Sequence, residues 1–183
     1  MQLHQRSLKS LIRFELGCAL ALASASLASA QSPTPEVKVT VSSPSFQADG
    51  NIPDQFGCKG ANVNPPLQFR GFPAETKSLV LVVDDPDAPG VLFTHWLVWN
   101  IDPATTKIGE RSVPAGAIQG TNDFGNVGYG GPCPPSGTHR YFFRIFALDQ
   151  ALDLKSGAKR RELNEALAGH VLAHGELMAR SSR

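Results

Sequence analysis

The chain has 183 residues, of which 42% are hydrophobic and 18% are charged, and its formal net charge is +1. It has no basic face and no long run of one charge sign, so the sequence excludes an electrostatic nucleic-acid surface. It gives no support for attraction to a membrane surface either.

The first 30 residues have the order of a secretory signal peptide. Basic residues without an acid come first, and an uncharged apolar stretch over residues 16–27 follows. Ala28 and Ala30 suit the positions that a signal peptidase reads, so the mature chain is expected to begin at Gln31. The alternative is an ordinary Ala-rich helix. The apolar stretch is too short to cross a membrane, so no stable membrane insertion is expected after cleavage.

Residues 31–183 have the length of one domain with its own hydrophobic core. The signal segment holds three of the 17 Lys and Arg residues and one of the 16 acids, which leaves 14 basic and 15 acidic residues. The mature net charge is therefore near −1, and the predicted location is the periplasm or the medium.

Four segments of the mature chain have the pattern of β-strands. Residues 37–41 alternate apolar and polar side chains, as a half-buried strand does. Residues 78–83 are almost continuously apolar and β-branched, which predicts a strand covered on both faces. Residues 96–101 and 141–148 are rich in aromatic residues. The predicted fold class is therefore mostly β.

The connection over residues 114–138 is dense in Gly and Pro and is too long to be a simple link. Such a structured loop is usually functional. After the last predicted strand, residues 159–167 have helical spacing. A second helix is expected over residues 170–178, with Val171, Leu172 and Leu177 as core contacts.

Cys58 and Cys133 are the two cysteines of the mature chain. An exported protein folds where disulfides persist, so the sequence favours a bridge between them. Two separate buried thiols are the alternative.

Three carboxylates and two histidines lie at junctions between loops and predicted strands. Asp84, Asp85 and Asp87 follow the most apolar strand, while His95 and His139 stand where the next strands begin. By themselves the aspartates fit a turn, because Asp caps backbone amides there. If the junctions share one end of the sheet, the histidines, held protonated by the carboxylates, would suit a phosphate or carboxylate ligand. The acids could then hold the cationic end of a zwitterion.

Three ordered motifs resemble the signature segments of the phosphatidylethanolamine-binding protein family, closest to its bacterial Raf-kinase-inhibitor-like branch. They are DPDAP at 85–89, THWLVWNI at 94–101 and GYGGPCPPSGTHRY at 128–141. Segments 62–66 and 169–173 extend the similarity over nearly all of the mature chain.

The resemblance implies a β-sandwich of antiparallel sheets with peripheral C-terminal helices. It implies a pocket for a small anion, such as phosphate, a carboxylate or a phosphorylethanolamine-like head group, and no enzymatic activity, cofactor or metal. The implied ligand-binding residues, with Gly131 and Pro132 contributing backbone, are Asp85, Asp87, His95, Gly131, Pro132, His139 and Tyr141. Arg140 is expected to tie the loop to the fold.

Three other functions stay open at this stage. His139 beside Asp85 would be the general base of a hydrolase or lyase, although no nucleophile motif is present. His95, His139 and Asp87 have the composition of a metal site, but not its spacing. As in some relatives, a protein partner such as a kinase or protease could also be bound.

Overall fold

A computed structural model describes residues 38–183 as two antiparallel β-sheets and one α-helix. The predicted mostly β sandwich is confirmed. The predicted signal peptide, residues 1–30, lies outside the described residues. Within the described range, no helix combines the length and the hydropathy needed to cross a membrane.

The smaller sheet has three short strands. They are β1 (Thr40–Ser42), β2 (Leu67–Arg70) and β5 (Lys107–Ile108), in the order β1-β2-β5. The sequence patterns predicted a strand near β1 but not β2 or β5, because strands of two to four residues are too short to show a period.

The larger sheet has five strands, in the order β6-β4-β3-β7-β8. They are β3 (Ser78–Asp85), β4 (Phe93–Ile101), β6 (Ile118–Gln119), β7 (Thr138–Leu148) and β8 (Val171–Ser182). Strand β6 lies inside the Gly/Pro-dense connection and pairs with β4. Most of that connection is nevertheless irregular, as its composition predicted.

Strand β3 is central and is buried on both faces, as its apolar run predicted. Leu79, Leu81 and Val83 pack in the core between the two sheets. Val80 and Val82 point to the opposite face, where a second core includes residues of α1 (Arg160–Leu167). Full burial of each such side chain contributes about 1.5–3 kcal/mol, so this strand anchors both layers.

The second predicted helix, residues 170–178, is wrong. Residues 171–178 belong to β8, which pairs with β7 along its whole length. Val171 and Leu172, expected in the core, are exposed, whereas Leu177 is buried. Gly175 lies against the backbone of Val39, where a Cβ atom would overlap the carbonyl oxygen. The helical preference of this segment is weak because it contains a glycine. Pairing with β7 and the close packing on Val39 therefore determine its structure.

Candidate functional site

A cavity of about 240 Å³ lies at the end of the larger sheet where β3 ends and β4 and β7 begin. Four of its polar lining residues were predicted from the sequence: Asp85, His95, His139 and Tyr141. All four are buried. The structure therefore brings together residues that are up to 56 positions apart, although binding of a ligand by them stays a prediction.

The adjacent carboxylates of Asp84 and Asp85 lie on opposite faces of the sheet, because side chains alternate along a strand. Asp85 faces the cavity. Asp84 is fully buried and forms ion pairs with Arg144 (3.0 Å) and Arg160. The three carboxylates that follow each other in sequence do not form one cluster, and Asp84 has a structural role.

A β-bulge directs His95 into the cavity. Val83 pairs with Trp96, but the next residue, Asp84, pairs with Thr94, so His95 is the extra residue on β4. A bulge of this kind changes the direction of a side chain. The Gly130 N–H donates to the His95 carbonyl at 2.9 Å, which satisfies a backbone group that the bulge removes from the ladder.

The imidazole of His95 has a defined tautomer. Its Nδ1 lies 2.6 Å from the Gly130 carbonyl oxygen, which can only accept, so Nδ1 carries the proton. Burial lowers the pKa of His95 below its ordinary value, against the smaller effects of this hydrogen bond and of Asp85. His95 is therefore neutral at pH 7, contrary to the expectation that neighbouring carboxylates hold it protonated.

His139 has a carboxylate partner instead of a carbonyl. Its Nδ1 lies 2.7 Å from Asp85 Oδ2, in a buried pair. The other oxygen, Asp85 Oδ1, accepts the Asp87 N–H at 2.8 Å. The pair fixes the ring and leaves Nε2 as the histidine atom that can exchange a proton with a ligand.

Tyr141 supplies a buried hydroxyl group. The residue is 0% exposed, and its Oη makes no hydrogen bond of good geometry among the described residues, but it lies close enough to the Asp85 carboxylate and to the backbone of Cys133 to interact with both. Burial raises the pKa of Tyr141 above its ordinary value, so the phenol keeps its proton. A buried polar group of this kind normally has a partner, so the hydroxyl is available to donate to a water molecule or to a ligand in the cavity.

Asp87 is placed beside the cavity and not among its lining residues. Its two oxygens accept hydrogen bonds from the Arg140 guanidinium at 2.7 and 2.9 Å, and Oδ2 also accepts the Arg140 N–H. The hydrogen bonds from Arg140 lower the pKa of Asp87 to about 2. Arg140 thus links the start of β7 to the turn after β3.

Gly131 and Pro132 lie behind the cavity wall. The Gly131 N–H donates to Asn62 Oδ1 at 2.7 Å, and the Pro132 carbonyl accepts the Cys58 N–H at 3.0 Å. Their backbone groups therefore hold the neighbouring loop, and the wall expected from them is formed instead by Cys133 and Pro135.

The structure contains the Cys58–Cys133 disulfide, with the two Cα atoms 5.3 Å apart. Cys133 lies between two cavities, because it lines both the candidate site and a larger cavity of about 550 Å³. The disulfide therefore joins the loop that contains Cys58 to the wall that separates the two cavities.

Sequence reasoning missed the apolar side of the site, which is formed by Ala88, Pro89, Phe93 and Phe124. The Phe93 and Phe124 ring centroids are 4.8 Å apart, and both rings contact His95. Asn122 shapes the Phe124 loop, since its Oδ1 accepts the Phe124 N–H at 3.0 Å. The turn residues around Phe124 were the sequence feature that could have drawn attention to this apolar side. Nothing in their spacing indicated that Phe124 reaches the cavity.

The three side chains considered for a metal do not form a site. Within residues 38–183, no group of three or more His, Cys, Asp and Glu side chains has an arrangement that could hold a metal ion. Asp87, one member of the predicted set, is occupied by Arg140.

Comparison with known proteins gives consistent matches. A family model described as phosphatidylethanolamine-binding protein matches residues 42–182. A UPF0098 protein of Methanothermobacter thermautotrophicus is 47% identical over 145 residues, which cover 76% of this chain and 96% of the relative. A UPF0098 protein of Chlamydia muridarum is 41% identical, with 75% of this chain and 95% of the relative covered.

Two solved structures have the same fold. A Chlamydia trachomatis homologue of phosphatidylethanolamine-binding protein matches with a TM-score of 0.77 and 38% identity, over 80% of this chain and 99% of that one. Escherichia coli YbcL, a member of the mammalian PEBP family, matches with a TM-score of 0.74 and 32% identity, over 79% and 98%.

Proposed function

Because the chain belongs to the phosphatidylethanolamine-binding protein family, we propose that its buried cavity binds a small anion without chemical conversion. The observation that carries this proposal is the convergence of the Tyr141 hydroxyl and two histidine rings in one buried cavity. A buried donor that keeps its proton is matched by an acceptor with negative charge, and phosphate and carboxylate oxygens are such acceptors.

The three polar groups have different roles in this proposal. Tyr141 donates from its hydroxyl, which keeps its proton because burial raises its pKa. His139 donates from Nε2 when its ring is protonated, and the Asp85 carboxylate compensates the charge from the other side. His95 is neutral at pH 7, so it donates to an anion only if binding brings a proton to its Nε2.

The cavity lining favours binding over covalent catalysis. The hydroxyl and sulfur groups among the lining residues are the Tyr141 phenol and Cys133. The phenol is held in its protonated form, and the sulfur of Cys133 is in a disulfide. Neither is an activated nucleophile, because activation requires a lowered pKa or an adjacent base in position.

Matched substitutions of the chain's two tyrosines test the proposal. Tyr141→Phe removes a hydrogen bond to the ligand, so we expect sulfate or phosphate to bind about tenfold more weakly, with unfolding stability unchanged or increased. Tyr129→Phe is the control. The Tyr129 hydroxyl donates to the Phe56 carbonyl at 2.8 Å, so we expect a loss of about 1 kcal/mol in stability and unchanged affinity.

Isothermal titration calorimetry gives the two affinities, and urea unfolding gives the two stabilities. Wild-type protein that binds neither sulfate nor phosphate would contradict the proposal. Equal losses of affinity in the two variants would show that the Tyr141 hydroxyl does not contact the ligand.

A further inference from the structure

The Cys58–Cys133 disulfide is at the surface of the protein. Both half-cystines are exposed, although residues near them in the chain, among them Phe56, Pro132 and Pro134, are buried. The bond is therefore accessible to a dissolved thiol while the surrounding core stays packed. Exposed disulfides are the ones that exchange with thiols, whereas most structural disulfides resist reduction.

Both half-cystines line the larger cavity, which shares only Cys133 and Pro135 with the candidate site. Its volume of about 550 Å³ is in the range of cavities that take small organic molecules. Ile52, Pro53 and the prolines of residues 132–135 form apolar walls. A molecule held in this cavity therefore lies beside the disulfide.

Two cations also line the larger cavity. Lys59 Nζ donates to the Ser182 carbonyl at 2.9 Å, and Arg183 Nη1 donates to the Pro135 carbonyl at 2.9 Å. Within residues 38–183, no carboxylate forms an ion pair with either cation. The acidic side chain of the lining is Asp54, so the lining side chains have an excess of positive charge.

The remaining donors of these cations suit a carboxylate on a ligand. An ammonium group has three N–H donors and a guanidinium group has five, and the hydrogen bonds of Lys59 and Arg183 to the main chain use one donor each. Hydrogen bonds between a cation and a carboxylate are stronger than those between neutral groups. The larger cavity therefore favours small anions over neutral and cationic molecules.

The position of Lys59 indicates which sulfur leaves when a thiolate attacks the disulfide. Lys59 follows Cys58 directly in the chain. A neighbouring cation stabilises a thiolate, and the thiolate of lower pKa leaves faster. Cys133 instead lies between two prolines and borders the cavity that contains the Asp85 carboxylate. Cys58 is therefore the favoured leaving group, and Cys133 is the sulfur that is attacked.

The two loops stay in contact when the disulfide opens. The Cys58 N–H donates to the Pro132 carbonyl at 3.0 Å, and the Gly131 N–H donates to Asn62 Oδ1 at 2.7 Å. Neither hydrogen bond involves a sulfur atom, so both are available to the reduced protein without denaturant. The two cysteines remain neighbours, and the bond can form again.

We propose that the Cys58–Cys133 disulfide is a thiol-exchange site and that the larger cavity selects a small thiol that carries a carboxylate. The carboxylate binds at Lys59 and Arg183. The thiolate sulfur forms a bond to Cys133 Sγ while the Cys58–Cys133 bond breaks, and the electron pair leaves with Cys58 as a thiolate. A second thiolate attacks the sulfur of the bound thiol, which releases a small disulfide and the Cys133 thiolate. The thiol is the reductant, and the site does not depend on anion binding at the candidate site.

Three thiols of similar length test the proposal on the oxidised, full-length protein without denaturant. Mercaptopropionate, mercaptoethanol and cysteamine carry a carboxylate, a hydroxyl and an ammonium group. Each reduction rate is expressed per thiolate and divided by the rate of the same thiolate with bis(hydroxyethyl) disulfide, which removes differences in intrinsic reactivity. At low salt we expect mercaptopropionate to react about threefold to tenfold faster than mercaptoethanol, and cysteamine to react more slowly than both. At about 1 M salt the differences should largely disappear.

Variants of the two cations locate the effect. Lys59→Gln and Arg183→Gln should each remove part of the preference for mercaptopropionate, and Lys59→Arg should retain it. Lys77→Gln is the matched control, because Lys77 is an exposed lysine beside Ser78, which pairs with the far end of β7. This control changes the net charge equally and should keep the preference. Thermal unfolding checks that the variants are folded.

Mass spectrometry after an acid quench and alkylation identifies the sulfur that was attacked. We expect the mixed disulfide on Cys133 and the alkyl group on Cys58. A mixed disulfide mainly on Cys58 would overturn the assigned leaving group. Equal normalised rates for the three thiols, an equal loss of preference in Lys77→Gln and Lys59→Gln, or a disulfide that no thiol reduces in the folded protein would overturn the proposal.

Discussion

The two histidines of the candidate site differ in the atom that their Nδ1 groups face. His139 faces a carboxylate, Asp85, whereas His95 faces the carbonyl of Gly130. For His95 the hydrogen bond to the Gly130 carbonyl offsets the effect of burial only in part, so its pKa is lowered. Two buried residues of the same type thus have different hydrogen-bond partners.

This difference predicts how binding depends on pH. The pKa of His95 is lowered by burial, so its ring is neutral above about pH 6.5 and gains a proton only below the ordinary histidine pKa. An anion favours the protonated ring, so affinity should be highest at acidic pH and should fall as pH rises through this range. Calorimetry with sulfate between pH 5 and 8 measures this, because the charge of sulfate does not change there.

A His95→Asn variant is the control, since it cannot gain a proton and should show a smaller slope. Affinity for sulfate that is constant or increases with pH in the wild-type protein would contradict the prediction.

At the scale of elements, the pocket depends on close contact between two loops. Gly131 lies against the Phe56 carbonyl, and a Cβ atom there would overlap that oxygen. Gly131→Ala should therefore destabilise the fold by about 1–3 kcal/mol, as overpacking does. Gly109→Ala is the matched control, because the nearest atom to a new Cβ is 3.5 Å away. Urea unfolding of both variants measures the difference, and equal midpoints would show that the loops separate easily.

The elements also show which parts of the structure could be predicted from the sequence. Alternation and β-branching predicted β3, and aromatic runs predicted parts of β4 and β7, because these patterns follow from burial within one strand. The helical pattern over residues 170–178 was overridden by pairing of β8 with β7, which brings together residues that are far apart in the sequence.

Four of the residues that line the cavity, Asp85, His95, His139 and Tyr141, could be predicted in identity but not in orientation. Simple alternation along β4 places His95 on the same face as Leu97 and Trp99, which belong to the core beside α1. The bulge reverses this, and nothing in the local pattern indicates it. The apolar side of the site was missed for a similar reason, since Phe124 reaches the cavity only through the folding of its loop around Asn122.

At the scale of the whole molecule, the Cys58–Cys133 disulfide closes a loop with a sequence separation of 75. On the chain-entropy model a loop of this length stabilises the folded state by about 4 kcal/mol. Urea unfolding with and without a reductant should therefore show a large decrease in midpoint. A Cys58→Ser, Cys133→Ser double variant should resemble the reduced protein and should not respond to the reductant. Equal midpoints for oxidised and reduced wild-type protein would contradict the prediction.

The same closed loop has a mechanical consequence. Strands β2 to β6 all lie between the two cysteines, whereas β1, β7 and β8 lie outside them. When a force pulls Lys38 and Arg183 apart, only residues 38–58 and 133–183 can be drawn into an extended chain. The segment between Cys58 and Cys133 has about 250 Å of contour length, at roughly 3.3–3.6 Å for each residue. The disulfide keeps this segment from extending under the force. Reducing that bond lengthens the fully stretched molecule without changing its sequence.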